Sequence, residues 1–222
     1  MKHLTIFLIL ISFYSLKAQN GYDIHGNIHG LIDNTKIYLI NSGERKIIDS
    51  AFVKNEKFIL KGRLKDVIHT YLYEGKTNKL ADILLDNRKV KVLGETPNFD
   101  SVKVTGSDID QQWKQWFNDD QKIGYLRYRI VEVTESLISQ KDTVNSIILR
   151  QITDDLLKDR INLLKTYVKK YSNFPSGAVL PTLCTIQEKL TKNDLLEMFN
   201  SLSPKMQRTY LGKEVKKLSN EK

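Results

Sequence analysis

Asp23-Ile24-His25-Gly26-Asn27-Ile28-His29 alternates strictly: the two isoleucines and Gly26 face one way and every polar side chain faces the other. A period of two is that of an extended strand with one face buried. The alternation runs on to Thr105, broken every six to ten residues by turn formers, and predicts further strands at 36–40, 46–53, 57–61, 67–73, 80–85, 89–93 and 102–105. The links are short, so the pattern is antiparallel. An open sheet of this kind would leave one hydrophobic face in water, and eight strands therefore predict a β-sandwich or a curled barrel. Two of the turns, Lys54-Asn55-Glu56 and Asp86-Asn87-Arg88, lack the glycine that accepts positive φ most cheaply. Asn55 and Asn87 are expected to carry that conformation.

After Gly106 the period becomes helical. Ser107, with Asp110 three residues on, reads as an N-cap and the start of a capping box. The helix it opens carries Ile109, Trp113, Trp116 and Phe117 on one side, and Leu126, Ile130, Val133 and Leu137 continue the stripe, with Gly124 as a place for a kink or break. A second helix from near Asp142 presents Val144, Ile148, Ile152 and Leu156, then Ile161, Leu164 and Val168, and is expected to return antiparallel after the link 139–141. Pro175 and Gly177 break the chain before a short helix at 183–190. Asn193 can cap the next helix, and Ser203-Pro204 starts the last, which runs to about Lys217. The fold class is α+β: a β-rich part over 19–106 and a helical part over 107–222.

Ahead of both stands Met1-Lys2, an apolar run over 4–16, and Leu16-Lys17-Ala18 before Gln19, the pattern of a secretory signal peptide over 1–18 cleaved after Ala18. The run is shorter than the roughly 20 residues of a permanent span, so no transmembrane anchor is expected after cleavage. No cysteine stands at the cleavage point, which excludes a lipoprotein anchor. The expected location is periplasmic or associated with the cell envelope. Without residues 1–18, which hold Lys2 and Lys17 and no acid, 33 bases face 26 acids and the formal charge falls from +9 to +7. A basic chain is drawn to phosphates, anionic lipid head groups and acidic glycans, and nucleic acid is not expected as a partner outside the cell. The bases are spread along the sequence: Lys57, Lys61, Arg63 and Lys65 around one strand, Lys89, Lys91 and Lys103 on two others, the rest on helices. Spread in this way they read as a solvated surface.

Cys184 is the only cysteine. An exported chain with one thiol forms no internal disulfide, no C-x-x-C couple and no multi-cysteine metal site. It reads as a small buried apolar residue, with an intermolecular disulfide as the alternative. His25 and His29 have the H-x-x-x-H spacing, but in a strand their Cα atoms stand about 13 Å apart, too far to share an ion bound at about 2 Å. His69 has no sequence partner. Asp82 with Asp86, Asp108 with Asp110, Asp119 with Asp120 and Asp154 with Asp155 are pairs at helix starts and turns, with no flanking apolar pocket to set two pKa values apart. No nucleophile elbow, zinc-protease motif or phosphate loop occurs. No catalytic residue, cofactor or metal site is expected. Trp113, Trp116 and Phe117 are the largest aromatic cluster, suited first to packing on the β part and otherwise to a partner surface or groove.

Ile28-His29-Gly30, Ile37-Tyr38-Leu39, Ile48-Asp49-Ser50-Ala51, Lys57-Phe58 and Val104-Thr105-Gly106-Ser107 occur in an order that resembles a domain of unknown function (DUF4369-like). That domain stands at the N-terminus of many Bacteroidetes thiol–disulfide interchange proteins of TlpA or AhpC type. Asn173-Phe174-Pro175-Ser176 and Tyr210-Leu211-Gly212-Lys213-Glu214 resemble the family's linker. The resemblance implies an exported β-rich module followed by a thioredoxin-like domain with W-C-x-x-C. The sequence ends at Lys222 without that motif, so the family's redox residues have no counterparts here, and Glu56 and Arg88 replace glycines common at its hairpins. Two functions are expected on these grounds. The first is a non-catalytic binding or assembly module of the cell envelope, with an envelope protein or small ligand as partner. The alternative is an accessory or remnant of a thioredoxin-like system.

Overall fold

The computed structural model describes residues 21–222. The expected signal peptide and its cleavage after Ala18 lie outside the described residues. Eight strands come first: β1 (Tyr22–His29), β2 (Lys36–Asn41), β3 (Lys46–Phe52), β4 (Lys57–Gly62), β5 (Ile68–Glu74), β6 (Asn78–Leu85), β7 (Lys89–Glu95) and β8 (Lys103–Thr105). They form two four-stranded sheets, in the orders β4-β1-β7-β8 and β3-β2-β5-β6. Neither sheet closes on itself, so the fold is a sandwich and the barrel alternative falls away. Ile24, Ile28, Phe58, Leu60, Val90 and Val92 of the first sheet pack against Ile37, Leu39, Leu72, Ile83 and Leu85 of the second. Each such side chain removed from water contributes about 1.5–3 kcal/mol.

One pairing departs from the antiparallel pattern. β1 and β7 run parallel, with Ile24 opposite Val90 and Gly26 opposite Val92. The chain crosses from the second sheet to the first after β6 and enters beside β1 in the same direction. Alternation in sequence marks which residues face inward and is blind to that direction. At Gly26 the Phe58 ring lies where a side chain would project, within 2.0 Å of the place a Cβ would occupy, so the glycine makes room for the largest side chain of β4.

The turns divide. Asn55 and Glu56 both take positive φ, 51° and 61°, and close a tight hairpin in which Lys54 N donates to Lys57 O at 2.8 Å. Glu56 is held there by its own carboxylate, which accepts from Gly30 N at 2.8 Å and pairs with His29 Nδ1 at 2.8 Å. Asn87, by contrast, is not left-handed. Its side-chain amide clamps Leu64, accepting from Leu64 N and donating to Leu64 O, both at 2.8 Å.

Six helices follow: α1 (Asp108–Ser139), α2 (Thr143–Lys170), α3 (Pro175–Leu183), α4 (Lys192–Ser201), α5 (Pro204–Gln207) and α6 (Tyr210–Glu221). Ser107 caps α1, but the expected capping box is incomplete: the Asp110 carboxylate accepts from Leu84 N at 2.8 Å and pairs with Lys114 at 2.7 Å. That bond ties the helix to β6. Gly124 does not interrupt α1. A Cβ there would stand 3.3 Å from Arg160 Cζ, and the glycine admits the guanidinium that bonds Asp120 through two nitrogens, at 2.7 and 2.6 Å, and Thr185 at 2.7 Å. This buried pair joins α1, α2 and the segment after α3. Pro175 opens a helix that ends at Leu183, earlier than the expected 183–190, because its φ suits a first helical position. Thr191, not Asn193, caps α4, in a complete capping box with Asp194.

The helical half docks on the outer face of the second sheet. Leu84 enters the helical core, and His69 lies 5.1 Å from the Trp113 ring. The outer face of the first sheet is left to water.

Candidate functional site on the open face of the first sheet

The aromatic cluster belongs to the core. Trp113 and Trp116 are buried among Leu164, Val168 and Leu180, and half-buried Phe117 stacks on Trp113 at 5.8 Å. Of the two expectations for Trp113, Trp116 and Phe117, packing is the one that the burial of Trp113 and Trp116 favours, with Phe117 partly exposed beside them.

Strand pairing brings Ser42, His69 and Asp82 together, which the sequence did not suggest. Ser42 Oγ lies 2.8 Å from His69 Nδ1, at one wall of a groove of about 620 Å³ between the sandwich and α3 and α6. Burial, partly opposed by Asp82, holds the imidazole below its ordinary pKa of 6.5, so it is a neutral base at pH 7. The rest of a nucleophilic site is missing. Asp82 stands 3.6 Å from His69 Nε2, beyond a hydrogen bond, so nothing orients the ring from its far side. The amides that could stabilise an oxyanion are in use: Ser42 N donates to His69 O, and Gly43 N and Glu44 N donate to Asn41 Oδ1. Cys184 caps α3 and is buried; its thiol is pushed up to about 12 by burial, which makes it a poor nucleophile.

The outer face of the first sheet has a different character. Alternation puts Asp23, His25, Asn27 and His29 of β1 on this face, with Lys57, Ile59 and Lys61 of β4, Lys89, Lys91, Leu93 and, opposite His29, Glu95 of β7, and Lys103 and Thr105 of β8. The register arranges them in rows across the strands: Lys61, Asp23 and Lys89; then Ile59, His25, Lys91 and Thr105; then Lys57, Asn27, Leu93 and Lys103. Strands lie about 4.8 Å apart and same-face residues about 7 Å apart along a strand, so five lysines share one small platform. Asp23 is already engaged. Burial works to raise its pKa, but bonds from His25 at 2.8 Å and Lys61 at 3.5 Å outweigh this and hold the carboxyl below its ordinary value. Glu56 at the rim is likewise lowered, first by the Gly30 amide and then by His29. Among the described residues Lys57, Lys89, Lys91 and Lys103 have no carboxylate within 4.0 Å. Three of them, Lys57, Lys89 and Lys91, line a hollow of about 350 Å³ together with His25 and Asn27, over the exposed side chains of Ile59 and Leu93.

Each lysine was visible in the sequence, but their assembly was not. It depends on the parallel β1–β7 pairing, which carries Lys89, Lys91 and Lys103 next to the strand already flanked by Lys57 and Lys61. Among the described residues no group of three or more potential ligands could hold a metal ion. No helix there is long and apolar enough to cross a membrane.

A sandwich with one covered and one cationic outer face defines a class by shape alone. Residues 22–113 match the family described as "Domain of unknown function (DUF4369)". The match takes in β1 to β8 and the first turns of α1, so it falls on the sandwich half. No curated protein and no solved structure matches the chain.

Proposed function

We propose that the protein is an exported, non-catalytic binding module of the cell envelope, and that the open face of the first sheet takes an anionic ligand. One observation carries this: three unpaired lysines, Lys57, Lys89 and Lys91, line a hollow with an apolar floor, and a fourth, Lys103, stands beside it opposite Leu93. Lysine ammonium groups on mobile stems suit phosphate or carboxylate groups spaced along a glycan or lipid head group, and the isoleucine and leucine give an attached ring or chain something to cover. The incomplete Ser42–His69–Asp82 set and the inert thiol support a role without chemistry.

The test is binding to phosphatidylglycerol vesicles and to a soluble polyuronate, each over a salt series. Affinity for at least one should fall with salt, and Lys57→Glu, Lys89→Glu, Lys91→Glu and Lys103→Glu together should cost at least about tenfold, as four lost charge contacts require. Reversing four dispersed lysines, Lys169, Lys170, Lys213 and Lys216, supplies the control. Equal losses in the two variants would reduce the effect to net charge and end the proposal.

A second reading, an accessory of a thioredoxin-like system, rests on the sequence resemblance alone. With Cys184 buried, electron transfer would fall to a separate protein. The platform would then be expected to hold an acidic surface of that protein, and the same four reversals would abolish the pairing.

A further inference from the structure

The α1–α2 hairpin carries an apolar face that nothing in the molecule covers. Between Gln121 and Asp159 only Thr134, Ser146 and Thr153 are fully buried. Their hydroxyls bond carbonyls of their own helices, at 2.7, 2.9 and 2.7 Å, so the seam between the helices is made of small side chains and closes without using the larger ones. Leu126, Ile130, Val133 and Leu137, spaced four, three and four apart, lie on one side of this seam on α1. Ile148, Leu149, Ile152 and Leu156 lie on the same side on α2. The bond from Arg127 Nε to Thr153 O at 3.1 Å and the Asp120–Arg160 pair set the register, which brings Val133 level with Ile148 and Leu126 level with the turn from Ile152 to Leu156. Leu126 is 50% exposed, Val133 52%, Ile148 53% and Ile152 40%. Ile130, Leu137, Leu149 and Leu156 are half-buried, so the stripe that sequence spacing marks for packing is in large part open to water.

We infer that this face is the contact between two copies of the chain, which join as a four-helix bundle. Its charge pattern points to a second copy. At 1.5 Å per residue the face runs about 17 Å along each helix, and two helices give a footprint of roughly 350 Å² on each copy, under half of a standard interface, so the association is weak and reversible. The outer margin of α1 beside it carries Lys122 and Arg129, and the outer margin of α2 carries Asp155 and Asp159; within one copy Lys122 pairs with Asp119 at 2.8 Å, Arg129 with Glu132 at 3.1 Å and Asp155 with Lys158 at 2.8 Å, exposed pairs weak enough to exchange partners. A two-fold axis parallel to the helices lays α1 of each copy over α2 of the other. Lys122 then meets Asp159 of the second copy at the same level, and Arg129 comes within about one turn of Asp155. The surface is complementary to itself. A polyanion or an anionic membrane would instead call for a basic margin all round, and residues 121–158 hold six bases and five acids in a chain of net charge +9.

Sedimentation velocity of the purified protein over a concentration series tests this. A reversible dimer is expected, half-formed at on the order of 100 µM. Val133→Glu with Ile152→Glu places carboxylates in the middle of the face and should weaken it at least tenfold. Glutamate is the better helix former at both exposed sites, so the monomer's melting temperature should not fall, which separates lost association from lost folding. Lys122→Glu alone should weaken the dimer, and Lys122→Glu with Asp159→Lys should restore it. A chain that stays monomeric up to about 1 mM, or a dimer indifferent to the glutamates, overturns the inference. The anion-binding proposal stands or falls separately, because none of these four residues belongs to the lysine platform.

Discussion

The first sheet's outer face and the α1–α2 hairpin are both open to water, and they are opposite in kind. On the sheet, apolar residues have a partner layer: Ile24, Leu60 and Val92 go inward, and the alternate positions are free to collect lysine. On the hairpin beyond Asp120 and Arg160, the buried side chains are those of the α1–α2 seam. That single seam takes up Thr134, Ser146 and Thr153, and a second apolar stripe is left over. A two-layer sandwich can be apolar on one face and charged on the other without conflict, whereas a two-helix arm with two apolar stripes is incomplete alone. The difference separates two tasks: charge on the sheet offers a site for something unlike the chain, and self-complementary apolar surface on the arm offers a site for the chain itself.

The base of the arm is where the comparison breaks most easily. Asp120 and Arg160 are buried and bonded through two nitrogens, and removing either leaves a charge without its partner. Asp120→Ala is expected to cost about 3–5 kcal/mol of stability. Hydrogen exchange should locate the loss in α1 and α2 beyond residue 120, with self-association gone and binding at the lysine platform kept. Protection lost equally across β1 to β8 would show that arm and sandwich unfold as one unit.

Asp110→Ala probes the junction of the two halves. It deprives Leu84 N of its acceptor and Lys114 of its partner. Bonds of this kind to a charged group are worth about 2 kcal/mol, and a urea titration should show a drop of that size, smaller than for Asp120. Asp110→Asn keeps an oxygen for Leu84 N and should recover part of it.

How far the sequence reveals all this follows from which signals are local. Strand alternation from Tyr22 to Thr105 and the switch to helical spacing after Gly106 are local, and they place the eight strands and the α1–α2 hairpin within a residue or two, while leaving sandwich and barrel both open. The left-handed Asn55 is local as well. Asn87 is not, since what holds it is Leu64, 23 residues away. The same holds for Gly124, whose reason is Arg160. Of the sites, the hairpin stripe is legible as Leu126, Ile130, Val133 and Leu137, but spacing cannot say whether a stripe meets its own chain or another. The lysine platform is hidden because it depends on a parallel pairing between strands more than 60 residues apart. Trp113, Trp116 and Phe117 attract notice by size, and size is what takes them into the core.

The smallest expected effect concerns acid. His69 lies between the halves, against Trp113 and Tyr71, with Ser42 at Nδ1 and Asp82, Lys79 and Lys114 around it. Burial lowers its pKa below 6.5, with Asp82 opposing and the two lysines reinforcing. The unfolded chain, titrating near 6.5, therefore binds this proton at a higher pH than the folded one. Stability should be level above that pH and fall as pH drops from about 6.5 toward the folded value, by no more than about 1.4 kcal/mol per pH unit for one proton. Urea midpoints from pH 8 to pH 5 measure the slope. His69→Gln keeps an amide within reach of Ser42 and cannot titrate, so its curve should be flatter over the same interval. If both curves fall together, the acid sensitivity belongs to carboxylates elsewhere, and His69 is simply a packed side chain at the seam between sandwich and helices.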